Sequence, residues 1–327
     1  MSDRFSFDSA DDLIELLKTS NMVLTEKNQQ FIGLYNRLGD SFRDSEYENL
    51  KQGLLHSFSS CCEISQELNL IIAAIANYKE KLYEQFVENL ISNIQFPTIT
   101  YVSTVRFGEE GEALEMKNRQ LAFQNEIKMK MRQKDLSIAA RAMYASVGSK
   151  CKIGSDTYMR TEHYNPFTGE IFFNLEADLC NEQGKLATYF HEVGHMIDFQ
   201  SSSQPLSNDK TFCTAVKSDF KDYVFQTMKR YGCDRSEAYY HIRNELYADS
   251  NLLADISDIM GGLTDCECQG AWGHSKKYWN TDPQRVYREA FANMYSTALG
   301  NPQRIAVMKK YFPTAYERFE KLLEDTL

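Results

Sequence analysis

Between residues 44 and 91 apolar side chains recur at alternating steps of three and four: Tyr47, Leu50, Leu54, Cys61, Ile64, Leu68, Ile71, Ile75, Tyr78 and Leu82. Only Ser57 breaks the series. Such spacing predicts one long amphipathic helix with a narrow apolar seam. An earlier helix is expected over about 9–37, where Leu17, Leu24, Phe31 and Leu38 recur every seven residues. The intervening "LGDSFRDSEY" offers Gly39 and a Ser or Asp cap, so the two helices are expected to fold back as an antiparallel hairpin.

Beyond residue 92 the pattern changes. "QFPTITYVSTVRF" (95–107) reads as a β-rich or extended connection, and a long charged helix is expected from about 111 to 145. "SVGSKCKIGSD" (146–156) reads as loop. "GEIFFNLEADL" (169–179) follows the turn "NPFTG" and is rich in aromatic and branched residues, which predicts a strand. Asn181 to Gly184 then turn the chain into a helix spelling "ATYFHEVGHMIDF" (187–199). The expected fold is mainly α with a small β-sheet (α+β). It divides into a helical hairpin over 1–92 and a second domain over 93–327, whose connector and long helix occupy 93–150.

Composition narrows the function classes. The chain has 327 residues, 43% of them hydrophobic, enough for a sizeable core. Its 36 basic against 46 acidic residues give a net charge of −10, which argues against a nucleic-acid groove. No apolar run approaches the length of a membrane span; the best, "LNLIIAAIANY" (68–78), is too short. The acidic, polar start "MSDRFSFDSADD" lacks a signal peptide's layout, so a cytoplasmic location or export by a non-classical route is expected. Eight cysteines are too sparse and irregular for a disulfide framework. "CEC" at 266–268 with His274 could hold a metal, but its one-residue gap is tighter than structural zinc normally uses.

The chemistry concentrates in "HEVGH". Residues four apart share one helix face, so His191 and His195 can bind one ion together. Glu192 projects beside them, suited to take a proton from water. Leu186, Phe190, Val193 and Ile197 suit a buried helix. Gly194 is unfavourable within a helix by about 1 kcal/mol relative to Ala, and a closely approaching backbone or substrate would explain it. A chance pair of surface histidines would have no such reason, and only six histidines exist in the chain.

A catalytic zinc takes three protein ligands and leaves one position open. No histidine follows at the metzincin spacing, so the third ligand should be an acid on a later helix. "RNELYADSN" offers Glu245, and "YREAFANMYSTAL" offers Glu289. The second helix has a clean start at Asp282-Pro283 and apolar neighbours Val286, Phe291, Ala292 and Tyr295, whereas Glu245 sits among Arg243, Asp249 and Asp255. Burial therefore favours Glu289 and keeps Glu245 as the alternative. Asn293 or Asp249, one turn beyond each acid, could hold a ligand histidine from behind.

Taken together, "HEVGHMIDF", "ISDIMGGLTDCECQGAWGHSKKYW" and "REAFANMYS" resemble the lethal-factor-like gluzincin domains of bacterial toxins and phage minor head proteins, over about residues 165–325. The resemblance implies a zincin-like metallopeptidase domain that cuts peptide bonds. Its Zn2+ would be held by His191, His195 and Glu289, with Glu192 as general base. The run Glu245–Asp249 resembles the "E-x-x-A-D" of Ste24-like peptidases only locally. Residues 5–92 resemble the WXG-type helix-turn-helix proteins exported by type VII secretion. Phe42-Arg43-Asp44 stands where a Trp-x-Gly would be, and the tyrosine-plus-acid export signal is not evident. These resemblances imply a secreted toxin or effector, or a phage-associated protease. Its partners would be a protein or peptide substrate and a type VII-like secretion partner or immunity protein.

Peptide hydrolysis also needs a donor for the developing oxyanion. "AWGHSKKYW" (271–279) supplies His274 and Tyr278 in a glycine-containing loop, with Tyr287 a further option; His274 could instead only pack on Trp272 or Trp279. The strand over 170–177 is expected to pair with an extended substrate. His163 lies near the expected cleft edge and could touch substrate or be a plain loop residue. His56 and His241 read as structural or exposed.

Overall fold

The computed structural model describes residues 7–38, 45–94, 96–97, 99–101, 109–155, 162–200 and 203–327. Two long helices come first, α1 (Phe7–Leu38) and α2 (Ser45–Ser92). They run antiparallel: Lys79 Nζ meets Asp11 at 2.5 Å, while Asn21 meets Asn69 at 2.9 Å and Ser65 at 2.6 Å. The expected turn, with Gly39 and Phe42-Arg43-Asp44, lies outside the described residues.

The seam of α2 differs from the apolar count. The half-buried positions include Leu54, Phe58, Cys61, Ser65, Leu68, Ile72, Ile75, Lys79 and Leu82. Ile64, Ile71 and Tyr78 are instead exposed, at 49%, 47% and 58%. The true register therefore runs through Ser65 and Lys79, whose polar ends are matched by Asn21 and Asp11 of α1. On α1, Leu17, Leu24 and Phe31 lie on the seam, joined by the buried Asn21. The chain divides into units Met1–Phe86 and Val87–Leu327, so the last turns of α2 count with the second unit; the heptad reading drew its boundary after residue 92.

In the second unit a four-stranded sheet has the order β1-β2-β4-β3, from β1 (Ile99–Tyr101), β2 (Lys152–Ser155), β3 (His163–Asn165) and β4 (Glu170–Phe173). β2 pairs in parallel with β1 and β4, and β3 closes antiparallel on β4. Three expectations are corrected here. The segment 146–156 is not all loop, because β2 lies within it. The charged helix is two: α3 (Glu109–Arg132) ends, and Ser137 caps α4 (Ile138–Val147) by accepting the Ala140 N–H. The strand at 169–179 stops at Phe173, because Asn174 accepts the Ala177 N–H and starts the short helix α5 (Leu175–Leu179).

The remaining helices are α6 (Ala187–Gln200), α7 (Lys210–Tyr231), α8 (Arg235–Ala248), α9 (Ala254–Leu263), α10 (Lys276–Trp279), α11 (Arg285–Gly300), α12 (Pro302–Tyr311) and α13 (Pro313–Thr326). The core centres on α6 and α11. Phe190, Val193 and Ile197 of α6 and Phe291, Met294 and Tyr295 of α11 are all buried. Gly194 is the closest point: a Cβ there would stand 2.8 Å from the Ala292 Cα and 3.0 Å from the Tyr295 Cβ. The glycine thus lets the two backbones touch. Mainly α with a small β-sheet describes the result, and among the described residues no helix is long and apolar enough to cross a membrane.

Candidate metal centre

The start of α6 is set by a buried acid. Asp178 accepts the N–H groups of Thr188 at 3.0 Å and Tyr189 at 2.8 Å, the donors that a helix start leaves free. With that end fixed, one face of α6 presents His191 and His195. The opposing face of α11 presents Glu289, three residues before the Ala292 contact, so the tight packing at Gly194 holds the acid against the histidines.

The three candidate ligand atoms form a nearly equilateral triangle. His191 Nε2 and His195 Nε2 are 3.2 Å apart, and Glu289 Oε2 lies 3.2 Å from the first and 3.4 Å from the second. Bonds of about 2.0–2.1 Å at a tetrahedral centre put ligand atoms about 3.3 Å apart. Glu289 is buried, 3% exposed, and its Oε2 has no hydrogen bond. Three lone-pair-bearing atoms thus converge on one point, which suits a zinc ion. Glu192, the adjacent residue of α6, is 5% exposed.

Electrostatics agree with a site that wants positive charge. Burial works against a charged His191, yet the Glu289 contact and the Glu192 and Glu289 charges push its pKa up to about 9. Burial likewise opposes a charged Glu289, but the two histidines hold its carboxyl well below the usual range.

Glu245 is elsewhere. It accepts from Tyr223 Oη at 2.7 Å, Tyr311 Oη at 2.6 Å and Lys310 Nζ at 2.9 Å, a structural junction that ties α8 to α7 and α12. Asp249 closes the end of α8, and its Oδ1 accepts the Leu252 N–H at 3.3 Å. Neither companion contacts a ligand histidine: Asn293 donates to Asp258 at 3.0 Å. The Asp282-Pro283 start also shifts. Asp282 Oδ1 caps a turn by accepting the Gln284 N–H, and α11 begins at Arg285.

Both residues expected to face the oxyanion lie at the site, His274 in the loop and Tyr278 on α10 rather than in the loop. The Tyr278 hydroxyl donates to Glu289 Oε1. Its ring is clamped between the His274 ring, stacked at 4.0 Å, and the Arg285 guanidinium at 4.2 Å. Burial and the Glu289 carboxylate hold the hydroxyl protonated, well above the usual tyrosine range. Tyr278 therefore fixes the Glu289 carboxylate, a contact that spacing did not reveal. His274 is held by Asp258, a residue that sequence reasoning did not single out; the only trace was its place in "ISDIMGG". Burial disfavours a charged His274, but the Asp258 hydrogen bond and charge raise its pKa overall.

The remaining candidates lie apart or have other work. Tyr287 is buried, with Lys217 over its ring at 5.2 Å. His163 is exposed on β3 and stacks on Phe172 at 5.1 Å. His241 stacks on Tyr231 at 4.0 Å, and His56 is exposed. Cys266 Sγ faces the His274 carbonyl at 3.6 Å, and among the described residues neither it nor Cys268 joins a metal-ligand cluster. The strand expected to receive substrate, β4, is interior, with β2 on one side and β3 on the other. Its backbone groups are committed on both edges, and β3 is the edge strand on the α6 side.

Comparison of the chain with protein-family models, with curated proteins and with solved structures gives no match. The chemistry therefore rests on the site's own geometry.

Proposed function

We propose that the chain is a zinc-dependent endopeptidase of gluzincin type, acting on a protein or peptide substrate. The observation that carries this reading is the convergence of His191 Nε2, His195 Nε2 and the buried Glu289 Oε2 into a triangle of 3.2–3.4 Å edges beside a buried Glu192. A lone structural site would not need a general base next to it, and "HEVGH" supplies one.

Zinc held by those three groups would act as a Lewis acid, lowering the pKa of water and polarising a scissile carbonyl. The chain's own residues do the rest. Glu192 takes the proton of the attacking water and passes it to the leaving amine. Tyr278 keeps Glu289 in one orientation, with the Oε1 lone pair occupied and Oε2 directed at the histidines. His274 offers a hydrogen bond to the oxygen that gains charge. The β3 edge, not β4, is where an extended substrate would pair.

The lethal-factor-like gluzincin resemblance fits this reading, and the WXG-type resemblance of α1 and α2 suggests a delivery or docking element for a secreted toxin or effector, or for a phage-associated protease. The test is Glu192→Gln. It should keep one zinc per chain by metal analysis and lose cleavage of a fluorogenic peptide library. Turnover at the wild-type rate in that variant would refute the mechanism.

A further inference from the structure

His274 is fixed from two directions at once. Its backbone N–H donates to Asp258 Oδ1 at 2.8 Å, and its ring Nδ1 lies 2.9 Å from the same oxygen. The other oxygen, Oδ2, accepts from Asn293 Nδ2 at 3.0 Å. Asp258 Oδ1 already accepts the backbone N–H, so Nδ1 carries a proton toward the same oxygen, and Nε2, the remaining ring nitrogen, is a donor when the ring is charged, the form that the Asp258 contact favours. Asp258 is 6% exposed and Asn293 is 4% exposed, so these bonds form out of water, where unpaired polar groups are most costly.

The backbone before His274 is shaped for this contact. Gly273 sits at φ +137°, and a Cβ there would stand 2.9 Å from the Gln269 side chain and 3.1 Å from Asp258 Oδ1. Only glycine lets the loop pass close enough for the His274 N–H to reach the carboxylate. Asn293 is one turn beyond Glu289 on α11. The helix that delivers the metal ligand therefore also anchors the group that orients His274.

Asp258, His274 and Glu289 could together suggest a second ion, since their ligand atoms lie within 4.8 Å. The hydrogen bonds argue otherwise. Every Asp258 oxygen is already matched to a donor, and the Nδ1 proton occupies the space between ring and carboxylate.

We propose that Asp258 and Asn293 are positioning residues that hold His274 to hydrogen-bond the substrate oxyanion. This rests on the peptidase reading of the site. Asp258 acts through His274, which makes a sharp demand on epistasis. His274→Ala should lower kcat about 10²- to 10³-fold, as loss of an oxyanion donor does. Asp258→Asn should lower kcat about 10- to 100-fold with KM within about twofold. The double variant should be no worse than His274→Ala alone. Asn293→Ala, a milder change that removes one hydrogen bond from Asp258, should show a smaller loss that also disappears in the His274→Ala background.

The assay is zinc-loaded full chain on a mixed-sequence fluorogenic peptide library, with metal content and thermal unfolding checked for each variant. Nitrogen-15 imidazole NMR gives a second readout: the wild type should show protons on both Nδ1 and Nε2 of His274, and Asp258→Asn should lose one of them. Multiplicative losses in the double variant, wild-type kcat in Asp258→Asn, or unchanged ring protonation would each overturn the proposal. A wild type that binds zinc and cleaves nothing overturns the peptidase reading and the oxyanion role with it. The NMR arm would then show separately whether Asp258 sets the ring.

Discussion

Gly194→Ala tests how the site is built. The new Cβ would stand 2.8 Å from the Ala292 Cα, 3.0 Å from the Tyr295 Cβ and 3.3 Å from the Ala292 carbonyl oxygen. Comfortable carbon contacts are about 3.5–4.0 Å, so α11 must retreat from α6 by roughly 0.7–1 Å. Both nearest atoms belong to the backbone or to its first side-chain carbon, and neither can swing aside. Helix propensity alone favours Ala by about 1 kcal/mol. Overpacking costs about 1–3 kcal/mol, leaving a net loss of roughly 0–2 kcal/mol. The effect on the metal should be larger. Glu289 rides on the displaced helix, and a shift of this size opens the 3.2–3.4 Å triangle beyond the roughly 0.2 Å tolerance of a zinc bond. Zinc affinity, measured by chelator competition, should fall at least about tenfold, the lower end of what losing a group that orients a ligand does. Thermal unfolding with and without zinc should show a reduced metal-dependent shift. An alanine variant with wild-type zinc affinity and a raised Tm would refute the argument that Gly194 is there for helix approach.

Other outcomes follow from the same geometry. Gly53→Ala in α2 is the control, since nothing lies within 4 Å of its Cβ; unfolding should show a gain of up to about 1 kcal/mol. Glu289→Gln should weaken zinc binding strongly. Glu245→Gln should leave zinc affinity unchanged while costing about 1–3 kcal/mol, because Tyr223, Tyr311 and Lys310 lose a charged acceptor; the reverse pattern in chelator competition would reassign the ligand. The metal-free site should hold a proton on His191 up to about pH 9, so an ion must displace it. Zinc affinity by calorimetry should then rise with pH between about 7 and 9, close to tenfold per unit, with a proton released to the buffer. The sign for stability is opposite in the metal-free protein. A raised histidine pKa stabilises fully below the unfolded value near 6.5 and is lost as pH climbs through 9. Its Tm should fall over that window, and a flat profile would contradict the placement of Glu289.

What could be read from the chain was what repeats locally. The two long helices follow from their period, and "HEVGH" from a spacing that one turn of helix enforces. Leu54, Cys61, Leu68, Ile75 and Leu82 do lie on the seam of α2, but Ile64, Ile71 and Tyr78 are off it by one position, because an apolar count cannot see Ser65 or Lys79 as inward-facing. Their partners, Asn21 and Asp11, lie on another helix, and only pairing makes a polar seam position tolerable. The short strands were missed or overextended for a related reason. β2 is four residues of "KIGS" with no alternation to mark it, held in place by neighbours on both sides.

The site divides along the same line. Glu289 could be ranked above Glu245 from apolar flanks, because burial leaves a mark in neighbouring residue types. What Tyr278 does could not be inferred, since a tyrosine near the ligand helix is equally suited to facing substrate or facing the ligand. In the structure its hydroxyl donates to Glu289 Oε1 while His274 and Arg285 hold its ring. Asp258 left only its place in "ISDIMGG": an acid inside an apolar helix is a contradiction until its donors, His274 and Asn293, arrive from residues far along the chain. That contradiction is itself usable. A buried acid in a segment as apolar as "ADISDIMGGL" requires partners of matching polarity, and here the two it finds belong to the His274 loop and to the helix that carries Glu289.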